Sequence, residues 1–393
     1  MELAIVSHTK KVGILLVNMG SPSAPEKDAV TSYLRAFLGD KNILTTAPFL
    51  RFLLVRLLIF FRKKSLVKAY RQIWTAEGSP LLVHSQRIAN KLEHQTKMPT
   101  AIAMLYGSPS VSNAFKSLAD KGIDHIMVCP LFPQGVTGIL SSIKEQCTQA
   151  QAETPITFEI RPPFYDHPTY IQALASTISP FLLGEFPNAS QQNSPSIQKK
   201  STSLSSQAYF HREAYEAFIF SFHGLPCSEV RKVGIRCNNR QMNDPNCVQL
   251  FGDEACKKCY KYQCLRTTHL LSKTLNLPKN KVFVSFQSRL PWTQTWLAPS
   301  TKEVVNLPVF KRKNLFVIAP SFPSDCLETL YEIQIKLQQQ AFFLNQTSLT
   351  VAPSLNDHDL FVLFLENFLG KTNSPPKAGF PKPLSEKEEI ARR

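Results

Sequence analysis

One histidine and three carboxylates are the residues best placed to do chemistry. His223 stands in Ser221-Phe222-His223-Gly224-Leu225-Pro226, directly after the apolar run Phe218-Ile219-Phe220. Asp325, Glu328 and Glu332 stand in Ser321-Phe322-Pro323-Ser324-Asp325-Cys326-Leu327-Glu328-Thr329-Leu330-Tyr331-Glu332, after the apolar run Leu315 to Ala319. Spaced i, i+3 and i+7, the acids would share one face of a helix opening after Pro323. An imidazole suits proton transfer near neutral pH. A row of carboxylates beside it can bind or pass on a divalent cation such as Fe²⁺. Plainer readings exist for each: a structural histidine, a helix-capping Asp325, a solvated Glu328 and Glu332. Their pairing at two strand ends favours the chemical one.

Cysteine is the second chemical signal. Six of the nine cysteines fall between Cys227 and Cys264, spaced Cys227-x9-Cys237-x9-Cys247-x8-Cys256-x2-Cys259-x4-Cys264. The tight end of that series has the spacing of zinc or iron–sulfur ligation. Unligated thiols are the bland alternative, and it is the reading given to Cys129, Cys147, Cys227 and Cys326. Met1 to Lys11 has no apolar core of a signal peptide, so reduced thiols and a cytoplasmic setting are expected.

Strand-like apolar runs recur ahead of Gly, Ser or Pro: Val12–Val17, Ala101–Tyr106, Ile126–Leu131 and Ile156–Ile160. A second set follows at Ala217–Phe222, Val282–Phe286 and Leu315–Ala319, and helical patterns such as Pro80–His94 and Val111–Lys121 lie between runs. That alternation predicts an α/β protein with parallel sheets, in two Rossmann-like halves with a ligand cleft beyond the strands' carboxyl ends. The expected division is 10–175 and 213–370, the second half carrying the Cys-rich insertion 227–264. A flexible Ser/Gln/Asn-rich insertion is expected over 186–212 and a disordered tail over 372–393.

The chain is long enough, at 393 residues, for one large or two ordinary domains. Its formal charge of +16 favours an anionic partner. No zinc-finger spacing, RNA-binding signature or basic heptad helix is present, which argues against nucleic acid. Pro48 to Lys64 (PFLRFLLVRLLIFFRKK) is densely apolar but interrupted by Arg51 and Arg56. It falls short of a spanning helix. Resting on a bilayer surface, lining an apolar cleft and simple burial all remain open for it.

Many separated motifs together resemble the ferrochelatases, which insert ferrous iron into a porphyrin. They include Leu16-Val17-Asn18-Met19-Gly20-Ser21-Pro22, Tyr33 to Asp40, Tyr70-Arg71-Gln72-Ile73-Trp74 leading to Glu77-Gly78-Ser79-Pro80-Leu81, Tyr106-Gly107-Ser108-Pro109-Ser110, and Pro130 to Gln134. The two opening stretches, Phe286-Gln287-Ser288-Arg289, Trp296-Leu297 and Leu355-Asn356-Asp357 complete the set.

The resemblance implies a chelatase-type fold acting on protoporphyrin IX and Fe²⁺, with haem b as product. It implies His223 as base or metal-side ligand, Glu328 and Glu332 as an acidic relay for iron or protons, and Asp325 behind them. Met19 would face the other side of the macrocycle, with Tyr106 also in the substrate site and Arg71 and Ser79 near the propionate edge. Residues 45–65 would form an apolar active-site lip, a route to peripheral membrane contact through 48–64. Some bacterial members hold a [2Fe–2S] cluster in an internal cysteine insertion, and four of Cys237, Cys247, Cys256, Cys259 and Cys264 are the ligand candidates here. The chain departs from the family pattern at Leu105, at Gly135-Val136 and over Leu290–Thr295. A catalytically weak porphyrin- or haem-binding member, a coproporphyrin III ferrochelatase and a cobalt chelatase are the alternatives.

Overall fold

The computed structural model describes residues 10–183, 212–233, 254–288 and 295–370. Most of the 186–212 insertion, the 372–393 tail, Cys237, Cys247 and the stretch 289–294 lie outside the described residues.

Two four-stranded parallel sheets organise the chain. The first holds β1 (Val12–Asn18), β2 (Thr100–Met104), β3 (His125–Pro130) and β4 (Thr157–Ile160), in the order β2-β1-β3-β4. The second holds β5 (Ala217–His223), β6 (Val282–Gln287), β7 (Asn314–Ile318) and β8 (Ser348–Val351), in the order β6-β5-β7-β8. All six pairings are parallel. The central strands β1 and β5 are almost wholly buried, as their unbroken apolar runs demand of strands covered on both faces. The short strand β8 was not anticipated, because Ser348-Leu349-Thr350-Val351 is too brief and too polar to signal one.

The first half carries α1 (Lys27–Gly39), α2 (Pro48–Ile73), α3 (Pro80–Thr96), α4 (Val111–Asp120), α5 (Thr137–Ala152) and α6 (Pro168–Leu183). The second carries short helices α7 (Cys227–Arg231), α8 (Glu254–Lys257) and α10 (Thr301–Val305) beside the longer α9 (Tyr260–Thr274). A π-helix (Leu327–Leu337) then runs directly into α11 (Gln338–Asn345), and α12 (Asp359–Leu369) closes the fold. In α4, Val111, Ala114, Phe115 and Leu118 form the buried stripe, and the Ser110 hydroxyl caps the helix by accepting from the Asn113 N–H.

One apolar core joins the halves. Leu16 and Met104 from the first sheet share it with Phe218, Phe220 and Phe316 from the second and with Phe361 and Phe364 of α12. Each such phenylalanine contributes about 1.5–3 kcal/mol by leaving water. The Tyr170 hydroxyl of α6 donates to the Pro320 carbonyl across the junction at 3.0 Å.

The dense apolar stretch is part of one helix, α2, 26 residues long. Simple burial is overturned for its first half: Phe49 is 75% exposed, Phe60 67% and Phe61 70%. Only Val55 and Ile59 of that half are buried, since the helix is apolar all round and one side alone can face protein. No helix among the described residues is long and apolar enough to cross a membrane.

Candidate active site

His223 is the last residue of β5 and is half-buried. Three contacts hold it. Its carbonyl accepts from the Tyr260 hydroxyl at 2.8 Å, and its ring lies 6.2 Å from that of Phe322. The following N–H, of Gly224, donates to the Gln287 carbonyl at 2.7 Å. A Cβ on Gly224 would sit 2.5 Å from that same carbonyl oxygen, so only glycine lets β5 end here. Gln287 in turn accepts from the Ser221 hydroxyl at 2.7 Å, which locks the end of β6 to the end of β5.

The acids sit on the π-helix, and here the expected geometry needs correction. The helix opens at Leu327, so Asp325 precedes it, and the i→i+5 winding replaces the α-helical face on which the acids were to align. Asp325 is instead committed to the turn ahead of the helix. Its Oδ1 accepts from the Thr329 hydroxyl at 3.0 Å and its Oδ2 from the Asn356 side-chain amide at 2.8 Å. The Cys326 N–H donates to the same Thr329 hydroxyl at 3.0 Å.

Glu328 and Glu332 do lie together. Burial pushes the Glu332 carboxyl above the usual carboxylate range, and the neighbouring Glu328 pushes it further. The Ser288 hydroxyl, donating to Glu332 Oε2 at 2.6 Å, and the nearby charges of His223 and Arg62 pull it partly back. His223 and Glu332 are therefore within electrostatic reach of one another. Among the described residues this brings together one imidazole and two carboxyl groups, one of which is shifted toward its protonated form.

Helices α1 and α2 roof these groups. Val55, Ile59, Tyr70 and Ile73 share a cluster with Leu327, Leu330, Tyr331 and Ile335 of the π-helix. Burial raises the Tyr33 and Tyr70 hydroxyls well above the ordinary phenol range, and the Glu328 charge adds to it in both. The buried Cys326 thiol is raised for the same two reasons. Both tyrosines stay protonated as donors beside the acids.

The sequence-predicted substrate residues disperse more widely. Met19 follows β1, half-buried, its N–H donating to Asn18 Oδ1 at 2.9 Å. Tyr106 is buried, and its hydroxyl donates to Asp40 Oδ2 at 2.8 Å, an oxygen that also accepts from Ser142. Arg71 is exposed near the end of α2, with Nε donating to the Pro25 carbonyl at 3.2 Å. Ser79 is buried at the N-terminus of α3. At the family departures, Leu105 is buried in the first half's core, and the Gly135 N–H donates to Gln263 Oε1 at 2.6 Å. Ser288, Arg62, Tyr33 and Tyr70 carry no chemical signal of their own in the sequence. Ser288, Tyr33 and Tyr70 stand in motifs read only for their order, and the signal for each is its partner, not its spacing.

Cys256, Cys259 and Cys264 are described. Cys264 is fully buried, its thiol raised well above normal mainly by that burial and hydrogen-bonded with Tyr260. Cys256 packs with Tyr165 and Tyr262 in a separate cluster. Among the described residues no three His, Cys, Asp or Glu side chains converge as a metal site needs. These three thiols do not by themselves fit a metal cluster.

A family model described as Ferrochelatase matches residues 11–372. The ferrochelatase of Coxiella burnetii strain Dugway 5J108-111 is 33% identical over 368 residues, covering 92% of this chain and 94% of the relative. That of Pseudomonas putida KT2440 is 32% identical over 362 residues, covering 91% and 98%. Among solved structures, SirB from Bacillus subtilis with Fe3+ aligns at a TM-score of 0.48 and 12% identity, covering 91% of this chain and 94% of that one.

Proposed function

The chain belongs to the ferrochelatase family, and from that premise we propose that it inserts Fe²⁺ into protoporphyrin IX, releasing two protons and forming haem b. The observation that supports this best is the meeting of His223 with Glu332 and Glu328 at the carboxyl edge of the second sheet. Metal insertion requires two pyrrole N–H protons to leave as the cation enters. His223 accepts a proton as base. Glu332, whose carboxyl burial and the neighbouring Glu328 push above the usual carboxylate range, relays a proton away from the site, while Glu328 supplies the carboxylate that meets Fe²⁺. A cleft shaped for a bent ring, with its nitrogen lone pairs exposed, binds the transition state better than the flat substrate.

The exposed apolar side chains of α2, interleaved with Arg51, Arg56, Arg62, Lys63 and Lys64, are suited to an anionic bilayer surface from which an apolar tetrapyrrole could arrive. A metal-insertion assay comparing protoporphyrin IX with coproporphyrin III tests the reading. Faster turnover of protoporphyrin supports it, and preference for coproporphyrin III replaces the substrate. Porphyrin binding without any metal-dependent spectral change would leave only a binding protein. The cluster expectation, four of Cys237, Cys247, Cys256, Cys259 and Cys264 around [2Fe–2S], rests on spacing and resemblance. Iron and acid-labile sulfide analysis of anaerobically purified protein tests it separately.

A further inference from the structure

A run of polar contacts, joined through the backbone of α3 and of residues 356–357, links the turn after β1 to the turn before the π-helix. On one side, Asn18 Nδ2 donates to the Ser85 hydroxyl at 3.3 Å, while Asn18 Oδ1 holds the Met19 N–H. One residue earlier on the same helix, His84 Nδ1 bonds Asp357 Oδ1 at 3.0 Å. Lys91, two turns on, reaches Asp357 Oδ2 at 3.3 Å and Asp359 Oδ1 at 2.9 Å. His84 and Ser85 are both buried, so the bonds they make are costly to leave half-made, whereas the Lys91 contacts lie nearer the surface.

From Asp357 the run continues to the acids. Asn356 stands in the left-handed region at φ 50°, which asparagine tolerates better than most residues. Its N–H donates to the Pro323 carbonyl at 2.7 Å, its Oδ1 accepts from the Asp325 N–H at 2.8 Å, and its Nδ2 donates to Asp325 Oδ2 at 2.8 Å. Asp325 accepts from Thr329, one residue past Glu328. A side chain 31 positions away thus holds the turn from which the π-helix starts, on both its backbone and its carboxylate.

We propose that Asn356 and His84 are positioning residues for metal insertion: through Asp325 and Asp357 they fix where Glu328 stands relative to the Met19 loop, and so the width of the cleft that must bend the ring. The Asp357 carboxyl is held well below its ordinary range, first by the His84 hydrogen bond and then by the Lys91 charge, which agrees with a permanently ionised hub. The proposal rests on the metal-insertion reading. It adds that placement of the acids is delegated to the loop that carries Asn356 and Asp357.

The test uses full-length Asn356→Gly, His84→Gln and His84→Ala with Zn²⁺ and Fe²⁺ insertion followed at saturating porphyrin. Glycine accepts the left-handed backbone, so Asn356→Gly removes the amide clamp without adding strain. The expected result is a fall in kcat of about 10- to 100-fold, with porphyrin KM and fluorescence-quenching affinity within about threefold, because a small misplacement of reacting groups costs that much. His84→Gln, which can still donate to Asp357, should recover at least half of the kcat that His84→Ala loses. The positioning role is overturned if kcat stays within twofold in Asn356→Gly, or if the loss is carried by KM. It is equally overturned if His84→Gln and His84→Ala fall alike in folded protein. A wild type that binds porphyrin but inserts no metal removes the reading beneath it, a result distinguishable from an active wild type with indifferent variants. Should Asn356→Gly fail to fold, the His84 pair decides alone.

Discussion

Strands β1 and β5 hold the same place in sheets of the same order, and each hands over to a glycine: Met19-Gly20 in the first half, His223-Gly224 in the second. Both glycines are forced. A Cβ on Gly20 would lie 1.9 Å from the Tyr106 carbonyl oxygen, at φ 102°, and one on Gly224 would lie 2.5 Å from that of Gln287. The helices after the third strands differ instead. Helix α5, after β3, keeps α winding, and its Glu145 forms a surface ion pair with Lys41. After β7 the chain winds as a π-helix over 11 residues and places Glu328 and Glu332 beside His223. Long π winding is rare, and short stretches of it gather at functional sites. One framework is thus repeated, and the grouping of an imidazole with two carboxyl groups is found on the second half. Met19, packed against the first half's core, takes the place after β1 that His223 takes at the end of β5.

Exchanging roles across the halves should break that picture most visibly. His223→Ala is expected to lower the metallation rate about 10²- to 10⁴-fold, the ordinary worth of a general base. Met19→Ala, at the matching position, should change it less than about tenfold and act mainly on porphyrin preference. Steady-state kinetics with protoporphyrin and coproporphyrin III measures both, and equal losses would erase the distinction between the halves.

The lip comes next. Replacing Phe49, Phe60 and Phe61 together by Ser should reduce co-sedimentation with anionic phosphatidylglycerol vesicles at least tenfold, since each buried ring is worth about 1.5–3 kcal/mol. Turnover of detergent-dispersed porphyrin should change less than threefold. Unchanged vesicle binding would move any membrane contact elsewhere.

The paired glycines sharpen the comparison through stability. Gly20→Ala, which meets both a steric clash and a left-handed backbone, is expected to cost about 3 kcal/mol, and Gly224→Ala about 1–2 kcal/mol. Chemical denaturation ranks them, and the reverse order would mean the two strand ends are not equivalent.

The smallest effect concerns Glu332. A carboxyl whose folded pKa is raised favours the protonated fold, so stability falls as pH rises through the interval above the ordinary glutamate value near 4.5. Above that interval the wild type carries the whole cost. Glu332→Gln should then melt a few degrees higher than wild type at pH 8, the gap closing below about pH 4.5. A gap that is constant with pH would assign the effect to packing.

The runs that became seven of the eight strands, the chemical character of His223 and the acids, and the greasy composition of α2 were legible residue by residue. Each depends on the residue itself or on its neighbours in the chain: an unbroken apolar run leaves a strand only the interior, and imidazole is the side chain whose unperturbed pKa lies nearest neutrality. Asp325 shows where that reasoning ends. Local spacing placed it on a helical face with Glu328, whereas Asn356 and Thr329 hold it in the turn before the helix begins. Ser288 on Glu332, Arg62 beside the same acid and Tyr33 with Tyr70 over Glu328 belong to the same kind. Thr329 apart, the partners in these pairs lie from 31 to 295 positions away in the sequence, and only the packing of α2 and the second sheet around the π-helix brings them together. Sequence determined which groups could move a proton, because acidity starts from the side chain itself. Tertiary structure decided which of them are desolvated and facing each other, because burial and proximity are properties of the assembled chain.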